Sequence, residues 1–277
     1  MSLTAEVAGK TDIGCVRKNN EDNLGWDQRV SLYIVCDGMG GALAGEVASK
    51  MGVDLLLEYF RQGKETGVYP EFGEVPGDMS AAGRQLLSAI RRANAAIYEA
   101  GQAKQSQQGM GSTIVAALLQ ENFLTIAHAG DSRMYRLRDG VLEQLTQDHS
   151  LVMEQVRRGL ITIEEAEKSE MQNIIIRALG SEEAVEPDIQ ELIALRGDVY
   201  LLATDGLTKL VKDDLIKQIM ENSPSLDVAC EDLISAAKEK GGDDNITCLL
   251  LRVVELPWYQ KFLNFLLGGG QSWQNSS

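Results

Sequence analysis

The sequence has little of what zinc-binding, secreted and membrane-spanning proteins need. It contains two histidines and four scattered cysteines, with no Cys-x-x-Cys pair. A zinc site of the Cys/His type is therefore not expected, and a cytoplasmic protein with free thiols is the simplest interpretation. The N-terminus has no basic segment followed by an apolar one, so secretion is not expected. No uncharged apolar run approaches the ~18 residues of a membrane-spanning helix.

Basic residues are also scarce for a chain of 277 residues. Lys and Arg number 26 against 41 Asp and Glu, which gives a formal net charge of −15. This balance argues against nucleic-acid binding and against broad adsorption on anionic membranes. A phosphorylated substrate would also be repelled, unless local cations reverse the field at the site. The hydrophobic fraction of 44% is typical of a globular protein, and the length allows one large or two small domains.

Apolar patterning predicts a protein with both strands and helices. Most of the predicted strands are apolar on both faces, so their sheets should be covered on both sides. Two facing sheets with helices outside both would bury every apolar surface, and a parallel sheet with helices on each side is the alternative. The charged segment 147–176 is expected to be a surface insertion with short helices. Strands are predicted at 32–36, 113–119, 123–129, 199–203 and 246–254, and helices at 47–55, 86–97 and 226–236.

Four aspartates lie at predicted strand tips, each near a glycine. They are Asp37, Asp131, Asp205 and Asp244. Carboxylates that crowd together repel one another and take up protons, unless a cation holds them. Oxygen ligands without His or Cys favour Mg²⁺ or Mn²⁺. The spacing is compatible with a metal site, and ordinary Asp-Gly turns are the alternative.

Six motifs in order connect these aspartates to a known family. They are Arg17–Asp22, Val35–Gly41, Gly111–Thr113, Ala129–Arg133, Ala203–Leu207 and Gly242–Thr247. Together they resemble the metal-dependent protein phosphatase family of type 2C, in its bacterial serine/threonine form, over roughly residues 4–254. The resemblance implies an α+β fold, a four-layer α-β-β-α sandwich with two central antiparallel sheets flanked by helices. It also implies one phosphatase domain over residues 1–254, with a flap insertion at about 147–176.

The resemblance assigns metal ligands to individual residues of this chain. Asp37 would bridge two Mn²⁺ or Mg²⁺ ions in the core site, and the Gly38 carbonyl would bind one of them. Asp205 and Asp244 would ligate the first ion. Asp131, together with Asp205, would hold a third and weaker ion.

The resemblance also implies how the substrate is bound and hydrolysed. Arg17 would grip the substrate phosphate with its planar guanidinium, while Asp22 and Glu21 would orient metal-bound waters. Glu21 is also counted with the metal site. A hydroxide formed between the two ions would attack phosphorus in line, without a phosphoenzyme. The implied substrates are phosphorylated Ser/Thr proteins, and the implied opposing partner is a Ser/Thr kinase. The metals and Arg17 would create a positive pocket in an acidic protein.

One departure from the family pattern concerns proton donation. Ser169-Glu170 stands where bacterial relatives often carry a His-Pro pair in the insertion. If that histidine protonates the leaving group in relatives, the donor is missing here, and a metal-bound water would have to replace it. Two other functions stay open at this stage: a domain that binds phosphoproteins without turnover, and a phosphatase for anti-sigma antagonists. The four aspartates and Arg17 argue against a domain without turnover, and the Arg17–Asp22 motif argues against a phosphatase for anti-sigma antagonists.

The C-terminal extension, residues 255–277, lies beyond the resemblance. Residues 257–267 are apolar apart from one narrow polar stripe, and three glycines follow. Such a segment is expected to be covered. Docking on its own domain, docking on a partner or another copy, and anchoring at a membrane surface are the alternatives.

Overall fold

Two antiparallel sheets with helices on their outer sides make up the computed structural model, which describes residues 3–40, 44–166 and 168–256. The strands are Leu3–Asp12 (β1), Asp22–Asp27 (β2), Leu32–Met39 (β3), Gly111–Ser112 (β4), Ile114–Gln120 (β5), Phe123–Ala129 (β6), Arg133–Arg138 (β7), Val141–Gln144 (β8), Asp188–Ile193 (β9), Val199–Ala203 (β10) and Ile246–Glu255 (β11). The helices are Ala44–Thr66 (α1), Ala81–Ala103 (α2), Leu151–Arg157 (α3), Ile163–Ala166 (α4), Asp205–Thr208 (α5), Asp213–Asn222 (α6) and Leu226–Glu239 (α7).

The strand order explains how distant segments meet. One sheet has the order β1-β11-β10-β7-β8, and the other has the order β2-β3-β5-β6-β9, with β4 paired to β3. All of these pairings are antiparallel. The α+β fold class with two central sheets is therefore confirmed, and the alternative of a parallel sheet is wrong.

Three apolar layers hold the sandwich together. Strand β3 is apolar at nearly every position because successive side chains point to opposite faces of the sheet and both faces are buried. Leu32, Ile34 and Cys36 pack in the layer with α1 and α2, whereas Tyr33 and Val35 pack between the two sheets. A third layer lies between the other sheet and the helices α5, α6 and α7. Complete burial of one such apolar side chain contributes about 2 kcal/mol.

The predicted elements are present, and several others were missed. The five predicted strands and three predicted helices all occur, and α1 and α2 are longer than the apolar spacing indicated. The segment 147–176 contains the short helices α3 and α4, as expected. The missed elements are β1, β2, β4, β7, β8, β9, α5 and α6. Of these, β8 and β9 lie at sheet edges with mostly exposed side chains, so they lack the apolar runs that revealed the central strands.

The domain boundaries and the nature of the C-terminal extension stay predictions. The domain over 1–254 and the flap limits at about 147–176 stay predictions. The apolar segment 257–277 lies outside the described residues. Within the described ranges, no helix combines the length and the hydropathy needed to cross a bilayer.

Candidate metal centre

The predicted site residues meet at a cleft of about 870 Å³. The structure brings together all of them except Asp22, which is buried behind the cleft. The predicted residues that line the cleft are Arg17, Glu21, Asp37, Gly38, Asp131, Asp205 and Asp244. They come from five separate segments of the chain, so the fold gathers acids that are far apart in sequence.

Each aspartate is placed by a different element. Asp131 lies in the turn between β6 and β7, Asp205 is the first residue of α5, one residue after the end of β10, and Asp244 precedes β11. Asp37 differs from the expectation, because it lies inside β3 rather than at its tip. The last residues of β3 pair with the short strand β4, which extends the strand past Asp37.

The acids strongly perturb one another. Burial, together with the charges of Asp22, Asp205 and Asp131, raises the pKa of Asp37 well above its usual range. Burial and the Asp205 carboxylate also raise the pKa of Asp131 to about 7, although Lys209 opposes this shift. Burial is the main reason why the pKa of Glu21 is raised. Without a cation, these carboxyl groups therefore hold protons that isolated carboxyl groups would release.

Two oxygens of this group show that the site fits a cation. Oδ1 of Asp131 and Oδ1 of Asp205 are buried and have no hydrogen-bond partner among the described residues. A buried carboxylate oxygen without a partner is costly. A divalent cation with oxygen ligands would satisfy such atoms, and the donor set suits Mg²⁺ or Mn²⁺.

Gly45, in the first turn of α1, keeps a second part of the site open. A Cβ atom at this position would lie 2.6 Å from Oε2 of Glu21 and 2.9 Å from the carbonyl oxygen of Gly38. Two oxygens from different segments therefore converge on a space that only glycine leaves free. No role was predicted for Gly45 from sequence, and the available signal was a glycine at the start of the helix that follows the Val35–Gly41 motif.

Asp22 is held behind the cleft by the neighbouring strands. It is paired with Asp37 in the register of β2 and β3. Its Oδ2 accepts a hydrogen bond of 2.9 Å from the Thr204 hydroxyl, which in turn accepts one from the backbone N–H of Thr247. Burial raises the pKa of Asp22 to about 7, although the hydrogen bonds from Thr247 and Thr204 act against this shift. Asp22 therefore contacts both sheets but does not line the cleft.

The loop that carries Arg17 is fixed by one buried amide. Asn245 accepts a hydrogen bond of 2.8 Å from the backbone N–H of Glu21. Its amide group donates to the carbonyl oxygens of Ile13 and Asn19, at 3.0 and 2.9 Å. These bonds hold the backbone on both sides of Arg17, whose side chain is half-exposed at the cleft.

Lys209 and Asn173 are polar cleft residues for which the sequence analysis predicted no role. Lys209 follows Asp205 by four residues, a spacing that brings side chains together on a helix. Its ammonium group forms an ion pair with Asp205 and donates a hydrogen bond of 2.7 Å to Oδ1 of Asn173. The pKa of Lys209 is raised, because the carboxylates of Asp205 and Asp131 outweigh the lowering by burial. The i,i+4 spacing from Asp205 was the available signal for Lys209.

The insertion reaches the cleft through Gln172, Asn173 and Ile175. Ser169 and Glu170, which stand in the place of a family His-Pro pair, are not among the residues lining the cleft. No residue of the insertion that lines the cleft has a titratable side chain, so the structure shows no proton donor from this segment within its described part.

A second group of possible metal ligands lies beside the cleft. Ligand atoms of His128, His149 and Asp188 lie within 4.8 Å of one another. The two imidazole rings are stacked with centroids 4.6 Å apart, and the Arg177 guanidinium contacts His149 at 3.1 Å and Asp188 at 2.5 Å. Arg177 thus already supplies a cation to this group. Burial lowers the pKa of His149 to about 4, with smaller effects from His128 and Arg177.

A family profile matches the part of the chain that carries all of the site residues. The sequence profile described as "Protein phosphatase 2C" matches residues 16–250. The chain belongs to the protein phosphatase 2C family. It is 38% identical over 245 residues to the serine/threonine phosphatase stp of Listeria monocytogenes serotype 4b, covering 87% of this chain and 93% of that protein.

Two solved structures of the family show the same fold. The serine/threonine phosphatase Stp1 from Staphylococcus aureus has a TM-score of 0.80 and 35% identity, covering 92% of this chain and 98% of that chain. The catalytic domain of serine/threonine protein phosphatase PstP, in complex with two manganese ions, has a TM-score of 0.77 and 37% identity, covering 92% of this chain and 100% of that chain. The family expected from the six motifs is confirmed, and this member is a protein phosphatase of the 2C type.

Proposed function

We propose that this 2C-type phosphatase hydrolyses phosphoserine and phosphothreonine in proteins with the help of Mn²⁺ or Mg²⁺. The observation that carries the proposal is the convergence of Asp37, Asp131, Asp205 and Asp244 on one cleft, with two buried carboxylate oxygens that have no partner. The relatives that it resembles are named serine/threonine phosphatases, and one of them was solved with two manganese ions.

The residues proposed to hold the ions all line the cleft. Asp37 and the carbonyl of Gly38 would contribute to the core site, together with Asp205, Asp244 and the nearby Glu21. When bound, two ions would acidify a water and neutralise charge on the phosphoryl group, which suits in-line hydrolysis. Ionisation of the acids would then be favoured, because the positive charge offsets the repulsion among them.

Arg17 is proposed to bind the substrate phosphate. Its guanidinium has five N–H donors in a planar fork, which matches two phosphate oxygens better than a lysine does. Asp22 is proposed to orient metal-bound water from behind the cleft, since it is buried and is paired with Asp37 in the register of β2 and β3. Among the described residues that line the cleft there is no Ser, Cys or His, and this composition supports water rather than a side chain of these types as the nucleophile.

The biological setting is also part of the proposal. A Ser/Thr kinase would oppose this phosphatase on shared substrates, in the cytoplasm, where the four free cysteines would persist as thiols. The catalytic domain would span residues 1–254 with the flap at about 147–176. The apolar extension 255–277 would dock on this domain or on a partner, and deletion of 257–277 should then change solubility, stability or mass in solution. If all three are unaltered, the docking proposal is wrong.

Phosphopeptide hydrolysis tests the function directly. Matched peptides carrying phosphoserine, phosphothreonine or phosphotyrosine are incubated with the full-length protein and Mn²⁺, Mg²⁺ or a chelator. We expect phosphate release from the first two peptides with either metal, and none with chelator. Metal binding without release of phosphate from any peptide would instead support a domain that binds phosphoproteins without turnover. Preferential hydrolysis of phosphotyrosine would contradict the proposed substrate class.

A further inference from the structure

Lys209 lies between two acids that the family resemblance assigns to a third metal ion. Its Nζ forms an ion pair with Oδ2 of Asp205 and lies 3.9 Å from Oδ2 of Asp131. About a third of the lysine side chain is exposed (34%), whereas the Asp131 side chain is buried. The side chain therefore reaches from the edge of the cleft towards its acidic interior.

The position of Lys209 in the chain places it next to Asp205 on the same helical turn. Lys209 is the C-cap of α5, one turn after Asp205, and its backbone N–H donates to the Asp205 carbonyl oxygen at 2.9 Å. The ammonium is thus tied to the same helical turn as the carboxylate that it neutralises. A divalent ion that approached the Oδ2 side of Asp131 and Asp205 would meet a fixed positive charge.

The same ammonium also reaches the insertion. It donates a hydrogen bond of 2.7 Å to Oδ1 of Asn173, a residue of the insertion that also lines the cleft. A lysine has three N–H donors and no acceptor, so it can serve several oxygens at once. One side chain thereby links a carboxylate of the candidate metal centre to the segment 168–176.

From these contacts we infer that Lys209 is a tethered cation that replaces the third, weakly bound metal ion and holds the insertion at the cleft through Asn173. The inference rests on the proposed function, because it concerns the same acids. Lys209 is a positioning residue: it acts through Asp205, Asp131 and Asn173 and takes no part in bond breaking. The chain would consequently need two ions where three are implied by the resemblance.

Counting bound Mn²⁺ tests the first part of the inference. Free Mn²⁺ is measured by electron paramagnetic resonance during titration of the full-length protein. We expect two ions per chain for the unmodified protein and three for Lys209→Met. Lys209→Asp should bind the third ion at least about tenfold more tightly than Lys209→Met, because it adds an oxygen ligand at the same place. If Lys209→Met fails to fold, Lys209→Asp still shows whether a third Mn²⁺ ion binds.

Lys212→Met is the matched control for the loss of positive charge. Lys212 also lines the cleft, and it forms no ion pair or side-chain hydrogen bond within the described part of the chain. This control should bind two ions. A count of three in the unmodified protein, or of two in both Lys209 variants, overturns the inference but leaves the proposed function intact. No Mn²⁺ binding by the unmodified protein would overturn the proposed function itself.

Hydrogen exchange tests the link to the insertion with a readout other than activity. The backbone N–H of Ile176 is bonded to the carbonyl oxygen of His149, at 2.8 Å, and reports on the attachment of this segment. In the Mn²⁺-loaded protein, Asn173→Ala and Lys209→Met should each accelerate its exchange about tenfold. The double variant should exchange no faster than either single variant. Gln172→Ala, at the neighbouring cleft position, is the control. Unchanged exchange in Asn173→Ala, or additive effects in the double variant, overturns this part.

Discussion

Arg17 donates a hydrogen bond of 2.8 Å to Oδ2 of Asp244, so the proposed phosphate ligand is bound to a proposed metal ligand. The two assignments compete for the same oxygen in the cation-free protein. They would be compatible if a divalent ion bound Asp244, because the guanidinium would then be free to bind phosphate. The contact therefore predicts that phosphate binds more tightly after the metal than before it.

Substitution of Arg17 should weaken phosphate binding with little effect on the fold. Both partners of its ion pair are partly exposed, so the pair contributes less than about 1 kcal/mol to stability. We expect Arg17→Ala to raise KM for a phosphopeptide about tenfold or more, with a smaller effect in Arg17→Lys, which keeps the charge but loses the planar fork. Steady-state kinetics and inhibition by inorganic phosphate measure this. Unchanged KM and kcat would remove Arg17 from the site.

Asp37→Asn should separate activity from stability. The substitution removes a buried carboxylate whose ionisation is opposed by Asp22, Asp205 and Asp131. We expect hydrolysis of p-nitrophenyl phosphate with Mn²⁺ to fall by about 10³-fold or more. The melting temperature in chelator should rise, because a neutral amide can be buried beside the other acids without the proton uptake that the Asp37 carboxyl group needs. Asp243→Asn, at an exposed position of the same cleft, should keep most of the activity. Near-normal turnover of Asp37→Asn in saturating metal would refute its role.

The stability of the chelated protein should fall as the pH rises from 6.5 to 8. The pKa values of Asp22 and Asp131 are raised to about 7, so the folded state holds protons that the unfolded state has already released. Such a group stabilises the fold at low pH, and this contribution is lost as the pH passes the folded pKa. Each group accounts for about 1 kcal/mol over this range. Urea unfolding at several pH values measures the slope, and saturating Mn²⁺ should remove it.

Two variants test the origin of this pH dependence. Asp22→Asn should have a shallower slope, because the amide does not titrate. Asp27→Asn should keep the full slope, since Arg29 and Arg61 hold the pKa of Asp27 well below its usual range and its titration is complete before pH 6.5. A stability of the chelated protein that rises with pH between 6.5 and 8 would contradict the assignment.

Gly45→Ala should weaken metal binding although alanine favours helices. A Cβ atom would lie 2.8 Å from the carbonyl carbon of Gly38 and close to the Glu21 carboxylate, so one of the two must move. Gly52→Ala in the same helix is the matched control, because its Cβ would be no closer than 3.2 Å to any neighbour. We expect Gly45→Ala to bind Mn²⁺ about tenfold more weakly, and Gly52→Ala to bind it with unchanged affinity, as measured by calorimetry. Equal affinities in both would show that this space is not used by a ligand.

The central strands and the acid set could be predicted from sequence because their physical causes are local. Strand β3 is apolar on both faces because both of its faces are buried, and that pattern is visible in one segment. Asp131 and Asp205 each follow an apolar run and stand beside a glycine, so they could be identified individually. Strand β9 could not be recognised, because an edge strand with mostly exposed side chains has no apolar run.

The remaining features depend on approaches between distant segments. Gly45 matters because α1 begins against Gly38 and Glu21, which no local pattern encodes. Asn173 meets Lys209 only because the insertion folds back over the end of α5. The stacking of His128 on His149 likewise follows from tertiary structure. Sequence could name candidates by residue type, but it could not show which of them meet.

The amide of Asn245 has a consequence for how tightly a substrate can be held. Because this amide is hydrogen-bonded to Ile13, Asn19 and Glu21, the turn that carries Arg17, the proposed phosphate-binding residue, acquires its shape during folding. A substrate that binds here would therefore not have to order this backbone. The entropy lost by ordering a loop, which commonly erodes affinity, would be small here. Recognition would instead depend on the mobility of a single long side chain.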